Sequence, residues 1–239
     1  MADPTNETRM LRVIGIDFGT SSIYMNVKRY NPDDPSQDSF NYIPVAFEHG
    51  ESKGSLISVI RENSDGSFDF GRVANEEADG AVIYRNFKMN LESMDDSARE
   101  KSRQLVRELF RYLHKIYEQQ INQLGEKEDA VETNISYPVK WQKSTAEFMI
   151  AAAEEAGFEN VTGMDEATAA MTTVITRNFE NLSSSKMLSA DKPGYILLVD
   201  MGAGTTDCAL CRYSFDNSRE GQGNAESLKV DIITCWPVG

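Results

Sequence analysis

The sequence has few cysteines and a deficit of basic residues. Its 239 residues include three cysteines and two histidines, and 24 lysines and arginines stand against 38 aspartates and glutamates, for a formal net charge of −14. Nucleic acids and anionic membrane surfaces attract proteins that present clustered lysine and arginine. The composition therefore disfavours nucleic acid and membrane partners, and the acidity is typical of a solvated surface.

Long apolar runs are also lacking. No stretch of 18 or more apolar residues occurs, and the first residues lack the apolar segment of a secretory signal. We therefore expect a cytoplasmic protein in a reducing compartment. Cys208 and Cys211 form a C-x-x-C pair within a predicted strand, where residues three apart point to opposite faces. This favours buried thiols over a redox pair or half a zinc site, and Cys235 is the third cysteine.

Two common nucleotide-binding motifs are absent. The chain contains no G-x-x-x-x-G-K-[ST] P-loop, and Asp207 stands where a dinucleotide fingerprint that begins at Gly202 requires its third glycine. The residues that follow are typical of a strand, whereas the fingerprint continues into a helix. A P-loop or Rossmann fold is therefore disfavoured.

The chain does contain two matching strand-turn-strand segments, Val13–Ser22 and Ile196–Asp207. In each, a β-prone apolar run ends on an aspartate, turns through glycine and hydroxyl residues, and continues as a second apolar run. One copy alone resembles an ordinary hairpin, since the same residue types dominate turns. Two copies in order predict two lobes, each presenting a loop to one bound ligand.

The residues of the two turns indicate the ligand. Glycine lets backbone amides approach an anion closely, and threonine and serine add hydroxyl donors. The aspartates would repel a phosphate unless a cation lay between them, and Mg²⁺ reached through its retained waters is the usual arrangement. The turns predict a Mg²⁺-nucleotide site, formed by Asp17, Gly19, Thr20 and Ser21 in the first turn and Asp200, Gly202, Ala203, Gly204, Thr205 and Asp207 in the second.

Six further segments extend this pattern in a fixed order: Ser55–Ile60, Asp65–Gly66, Phe70–Ala78, Val82–Lys88, Ile135–Pro138 and Asp165–Ala170. Together with the two turns, they resemble the actin-like ATPase superfamily and, within it, the 70-kilodalton heat-shock chaperones of the DnaK type. The resemblance covers roughly residues 13–239, and it implies a strand over Ser55–Ile60, a turn at Asp65–Gly66, a strand end at Ile135–Pro138 and a helix start at Asp165–Ala170.

The resemblance implies an α/β fold of the actin-like ATPase (ribonuclease H-like) type. Lobe I would span residues 1–192, with an actin-like core of 1–52 and 129–192 and an inserted subdomain of 53–128. Residues 193–239 would form the first hairpin of lobe II. The family's second lobe has further strands and an adenosine-binding region, so we expect a truncated piece that binds ATP weakly and hydrolyses it weakly or not at all.

The resemblance also implies a function, namely slow ATP hydrolysis that controls polypeptide binding elsewhere in the protein. ATP or ADP and Mg²⁺ would be the cofactors, with K⁺ as a further candidate ion. Client polypeptides, a J-domain co-chaperone and a nucleotide-exchange factor would be the partners.

Site roles follow from the same resemblance. Lys88 would contact the terminal phosphate and the attacking water, and Glu166 would help to hold that water and the metal shell. Asp17 and Asp200 would hold Mg²⁺ through water, and Asp207 is the candidate proton acceptor. The resemblance therefore predicts that Lys88→Ala slows hydrolysis without unfolding the protein.

The sequence departs from the pattern of this family at two positions. Ala146 and Ala167 stand where the family carries an arginine and a proline, which puts signalling to a peptide-binding domain in question.

Two other classes of protein are alternatives to the chaperone type. Actin-like sugar or acyl kinases and filament-forming ATPases would share the phosphate loops. The order of segments from Ser55 to Lys88 favours the chaperone type, and hydrolysis without an added acceptor, with a sedimentation test for polymer, would separate the three.

Local patterns predict the remaining elements. Capping boxes at Ser97–Glu100 and Ser144–Glu147 predict helices that end at Gly125 and Gly157. The first helix carries a basic side that we expect to be solvated rather than a polyanion site. An edge strand is expected within Tyr42–Phe47, and a loop or hairpin over residues 178–194.

Overall fold

The structure is a computed structural model that describes residues 10–32, 42–47, 54–121, 130–189, 191–201, 206–215 and 228–238. The fold is mixed α/β and divides into two compact units. The first unit comprises Met1–Ile135 and Gln142–Gly163, and the second comprises Ser136–Trp141 and Met164–Gly239. The segment that follows Gly163 packs with the strands of the second unit, and the lobe boundary expected after residue 192 stays a prediction.

The first strand-turn-strand segment forms the predicted hairpin. Strands β1 (Leu11–Phe18) and β2 (Ser22–Tyr30) pair antiparallel along their whole length. The same sheet contains β3 (Ile43–Pro44), β4 (Ser55–Ile57), β8 (Ala130–Tyr137) and β9 (Val161–Asp165), in the order β3-β2-β1-β8-β9, with β4 also paired to β2. Pro44 lies on the edge strand, as predicted, where its missing amide donor breaks no ladder.

The second sheet of the first unit is small. Strands β5 (Val59–Glu62), β6 (Phe68–Phe70) and β7 (Val82–Arg85) pair in the order β6-β5-β7. Asp65 and Gly66 form the predicted turn, with Gly66 at φ 82° and the Asp65 carboxylate 2.9 Å from the Ser67 amide. The continuous strand predicted over Ser55–Ile60 is wrong: it breaks at Ser58, whose amide donates to the Ser21 carbonyl at 2.9 Å.

Three polar side chains join this small sheet to the long helix α1 (Asp96–Ile121). Lys101 Nζ lies 2.7 Å from Glu62 Oε2, and the Tyr84 hydroxyl donates to the same oxygen at 2.9 Å. The hydrogen bonds from Lys101 and Tyr84 lower the pKa of Glu62. The cluster therefore stabilises the fold when Glu62 is ionised.

We expect Glu62→Gln to lower the free energy of unfolding by about 1 kcal/mol at pH 7, because the pair is partly screened by solvent. A lowered carboxyl pKa contributes stability above the pKa of the unfolded chain, and this is lost as pH falls through the folded value. The difference between wild type and variant in urea melts should therefore shrink below about pH 4. Glu77→Gln, at an exposed position, is the control, and a pH-independent difference would contradict the charge assignment.

The two predicted helices of the first unit are present, but their N-terminal caps were predicted wrongly. Helix α1 begins at Asp96 because the Asp95 carboxylate accepts from the Ser97 amide at 2.9 Å, so Ser97 lies inside the first turn. Helix α2 (Lys143–Ala156) follows Gln142, which makes no side-chain cap. Its end at Gly157 is confirmed, with φ 108° in the left-handed region that favours glycine. The predicted end of α1 at Gly125 lies outside the described residues.

The apolar side of α1 forms much of the core of the first unit. Its buried residues are Leu105, Val106, Leu109, Phe110, Leu113, Ile116 and Tyr117. On its basic side, the guanidinium groups of Arg103 and Arg107 lie 5.0 and 5.1 Å from the centre of the Phe148 ring of α2. Arg107 also contacts Glu155 at 3.3 Å. Two of the basic residues thus pack against a neighbouring helix, which the expectation of a solvated side did not include.

In its described residues, the second unit contains one helix and a three-stranded antiparallel sheet. Strands β10 (Gly194–Met201), β11 (Thr206–Phe215) and β12 (Leu228–Val238) pair in that order, and β10 with β11 is the second predicted hairpin. Helix α3 (Glu166–Ser184) packs on one face of this sheet. The cluster between them contains Ala167, Met171, Ile175, Leu188, Ala209, Cys211 and Tyr213.

Helix α3 corrects the loop predicted from residue 178. The backbone leaves helical geometry at Asn178, with φ −117°, but the helix continues to Ser184. Phe179 and Leu182 pack against the hydrophobic cluster of the second unit, and this burial outweighs the low helix propensity of the polar residues between them.

The cysteines are free thiols, as predicted. Cys208 and Cys211 are both buried in β11, and burial raises the pKa of the Cys211 thiol. Cys211 belongs to the cluster beneath α3, whereas Cys208 does not, which fits the opposite faces expected of residues three apart in a strand. In the described residues, no helix combines the length and apolarity that crossing a bilayer requires.

Candidate functional site

The turn of the first hairpin has the tight geometry that the sequence predicts. Asp17 is exposed near the end of β1, opposite Tyr24, and Gly19, Thr20 and Ser21 form the turn. A Cβ atom on Gly19 would lie 2.4 Å from the carbonyl oxygen of Ser22, so the turn requires glycine at this position.

Contacts to the carbonyl groups hold this turn in place. Ser58 Oγ donates to the Gly19 carbonyl at 2.8 Å, and the Ser58 amide donates to the Ser21 carbonyl at 2.9 Å. In a trans peptide, the amide N–H points away from the carbonyl of the same unit. The Gly19 carbonyl faces Ser58, and the Thr20 amide is therefore directed away from Ser58, an orientation that suits an anion on the other side of the turn.

Lys88 is the second feature of this site. It lies in a 3₁₀ turn, Phe87–Glu92, that follows Asn86 in the left-handed region at φ 55°. The side chain is only 5% exposed, its Nζ donates to the Phe18 carbonyl, and Nζ lies 5.3 Å from the centre of the Phe18 ring. Lysines are almost never this buried without a specific partner. The structure thus brings Lys88 to the residue that precedes the Gly19 turn.

The second hairpin presents a different chemistry. Asp200 and Asp207 are direct partners across β10 and β11, and Leu198 is the partner of Ala209 on the same face. Since Leu198 and Ala209 belong to the cluster beneath α3, both carboxylates lie on the face of the sheet that α3 covers. The predicted phosphate contacts Gly202, Ala203, Gly204 and Thr205 lie outside the described residues.

The first turn of α3 completes this arrangement. Asp165 caps the helix, and its carboxylate accepts from the Thr168 amide at 2.7 Å. Glu166, Asp200 and Asp207 all line one cavity of about 30 Å³. This volume holds about one water molecule and is far too small for a nucleotide. The structure thus brings together three of the predicted site residues within the second unit.

Lys140 also lines this cavity and was not predicted. Strand β8 ends before Pro138, as expected, and the Trp141 amide then donates to the Pro138 carbonyl at 3.0 Å. This tight turn places Lys140 against Asp207, with which it forms an ion pair. No local pattern in the sequence identifies it, since the carboxylates around it become neighbours only in the fold.

Among the described residues, no three histidine, cysteine, aspartate or glutamate side chains are placed to ligate an ion directly. Carboxylates that reach the ion through water fit Mg²⁺, which dehydrates reluctantly.

No protein-family profile matches the chain, and no curated protein is significantly similar to it. The first site offers a buried ammonium group beside a glycine turn, which suits an anion, and the second offers carboxylates around a small cavity, which suit a hydrated cation.

Proposed function

We propose that this chain is the nucleotide-binding part of a DnaK-like chaperone ATPase. In this proposal, ATP is bound and slowly hydrolysed, and its state controls polypeptide binding elsewhere in the protein. The observation that supports it most strongly is Lys88, whose buried ammonium group lies at the Phe18 carbonyl, directly before the glycine turn. A surface lysine without a functional role would be solvated.

Different residues would contribute to different parts of phosphoryl transfer. Such transfer needs mainly positioning and stabilisation of charge, with little covalent chemistry by the protein. Lys88 and the amide and hydroxyl groups of Thr20 and Ser21 would bind the terminal phosphate oxygens. Gly202, Ala203, Gly204 and Thr205, which lie outside the described residues, would bind phosphate in the same way.

The carboxylates would position the metal ion and the attacking water. Asp17 and Asp200 would hold Mg²⁺ through its waters, and the ion, when bound, neutralises charge on the phosphate oxygens. Glu166 would orient the attacking water, and Asp207 would accept its proton. The cavity of about 30 Å³ beside Glu166, Asp200 and Asp207 supports this division, because it has the volume of a water molecule.

The cellular setting belongs to the same proposal. Client polypeptides, a J-domain co-chaperone and a nucleotide-exchange factor would be the partners, and the cytoplasm the location. ATP or ADP, Mg²⁺ and K⁺ would be the bound small molecules and ions.

Calorimetric titration of the chain with Mg²⁺·ATP tests the proposal. We expect weak binding by the wild type, and Asp17→Asn and Asp200→Asn should each weaken it further by about 10–100-fold, the usual cost of losing a group that orders a metal's surroundings. Asp231→Asn, on an exposed position of β12, is the control. Absence of binding at millimolar nucleotide, or wild-type affinity in both site variants, would contradict the proposal.

A further inference from the structure

Asp200 and Asp207 form an electrostatically unfavourable pair. They stand directly opposite one another on adjacent antiparallel strands, where Cβ atoms are about 4.5–5.5 Å apart. Like charges in this position are destabilising. Glu166 lines the same cavity and adds a third carboxylate. A cation beside these carboxylates would relieve the repulsion.

Lys140 is the group that offsets it. Among the described residues that line the cavity, Lys140 carries the positive charge, and its ammonium group pairs with Asp207 Oδ1. The turn from Pro138 to Trp141 fixes the backbone on both sides of it. The Lys140 and Asp207 side chains are 37% and 33% exposed, so a dissolved cation can reach the same carboxylate.

We propose that Lys140 is a positioning residue, a resident counter-ion that keeps Asp207 in place beside Asp200 while no metal is bound. A hydrated divalent cation carries the same sign of charge and takes over this function when it enters. The role of Asp207 as proton acceptor rests on the proposed function, but the counter-ion role does not.

The geometry has a direct consequence for stability. In the wild type, Lys140 already compensates the carboxylates, so added Mg²⁺ has little repulsion to relieve. Without Lys140, the carboxylates repel one another in metal-free buffer, and Mg²⁺ then relieves more of that repulsion. The effect of Mg²⁺ on stability should therefore grow when Lys140 is removed.

Thermal unfolding of the whole chain in EDTA and in millimolar MgCl₂, at matched ionic strength, tests this inference. Lys140→Met should melt about 2–4 °C below wild type in EDTA and regain most of that difference in MgCl₂. Lys140→Arg should behave as wild type. Lys143→Met removes a 90% exposed lysine close by in the sequence and should change neither value.

Asp207→Asn is the second variant in this test, because it removes the charge repulsion between Asp207 and Asp200. Adding Lys140→Met to Asp207→Asn should cause no further loss, whereas independent effects would add. Equal melting of Lys140→Met and wild type in EDTA would overturn the inference, and so would a loss that MgCl₂ does not restore. No nucleotide is used, so these outcomes are distinct from failure of ATP binding in the calorimetric test.

Discussion

Replacing Lys88 by methionine should slow ATP hydrolysis by about 10²–10³-fold, the usual cost of removing one preorganised electrostatic group. The ammonium group lies beside the turn that would bind phosphate, and it would stabilise charge that develops on the terminal phosphate. The measurement is a single-turnover rate at saturating Mg²⁺·ATP.

The choice of methionine follows from burial. Lys88 is 5% exposed and its Nζ donates to the Phe18 carbonyl, so alanine would leave a cavity that costs about 2–5 kcal/mol. We therefore expect Lys88→Ala to destabilise the fold, which the resemblance alone did not predict. Methionine keeps most of the lysine side-chain volume. Lys101→Met is the matched control, since Lys101 forms a structural ion pair with Glu62 far from the turn in sequence. An unchanged single-turnover rate in Lys88→Met would remove Lys88 from the mechanism.

Phe18→Ala should destabilise the first unit by about 3–5 kcal/mol, which is the usual cost of emptying a buried phenylalanine site. Phe18 is fully buried, and its ring centre lies 6.1 Å from that of Phe87 and 6.2 Å from that of Phe110. It also lies beneath the Lys88 ammonium group. The variant should therefore lose both stability, measured in urea melts, and Mg²⁺·ATP affinity.

Phe110→Ala separates these two losses. Phe110 is equally buried and contacts Phe18 and Phe158, and it lies in α1, far in sequence from the glycine turn. We expect a similar loss of stability, with nucleotide affinity retained when both variants are kept folded at low temperature. Equal affinity in the two variants would show that Phe18 supports only the core.

Local sequence patterns predicted the two hairpins well. A β-prone run, an aspartate and a glycine turn specify a hairpin within about 20 residues, and β1–β2 and β10–β11 both formed. The start of α3 at Glu166 and the end of α2 at Gly157 were also predictable, because a carboxylate cap and a left-handed glycine act over a few residues.

Features that depend on distant contacts were not predicted. Helix α3 extends past Asn178 because Phe179 and Leu182 pack against the cluster of the second unit. The predicted strand over Ser55–Ile60 breaks where Ser58 bonds to the turn of β1 and β2. The residues that they contact lie far away in the chain, so local sequence patterns could not reveal these contacts.

The sites show the same limit. The residue types Asp17, Lys88 and Asp200 were predicted from motifs and resemblance, but the burial of Lys88 was not, since a lone lysine is ordinarily solvated. Lys140 was missed because its partner, Asp207, is 67 residues away in the chain. Charge balance becomes visible only when the fold brings the groups together.

Paramagnetic broadening by Mn²⁺·ATP is the most direct test of the account, in which one metal nucleotide is bound by both hairpins. Mn²⁺ replaces Mg²⁺ and broadens the NMR signals of amides close to it. We predict that the amides of Thr20 in the first turn and Thr206 beside the second lose intensity together at the same nucleotide concentration. Broadening at one hairpin alone, or at neither, would contradict the account.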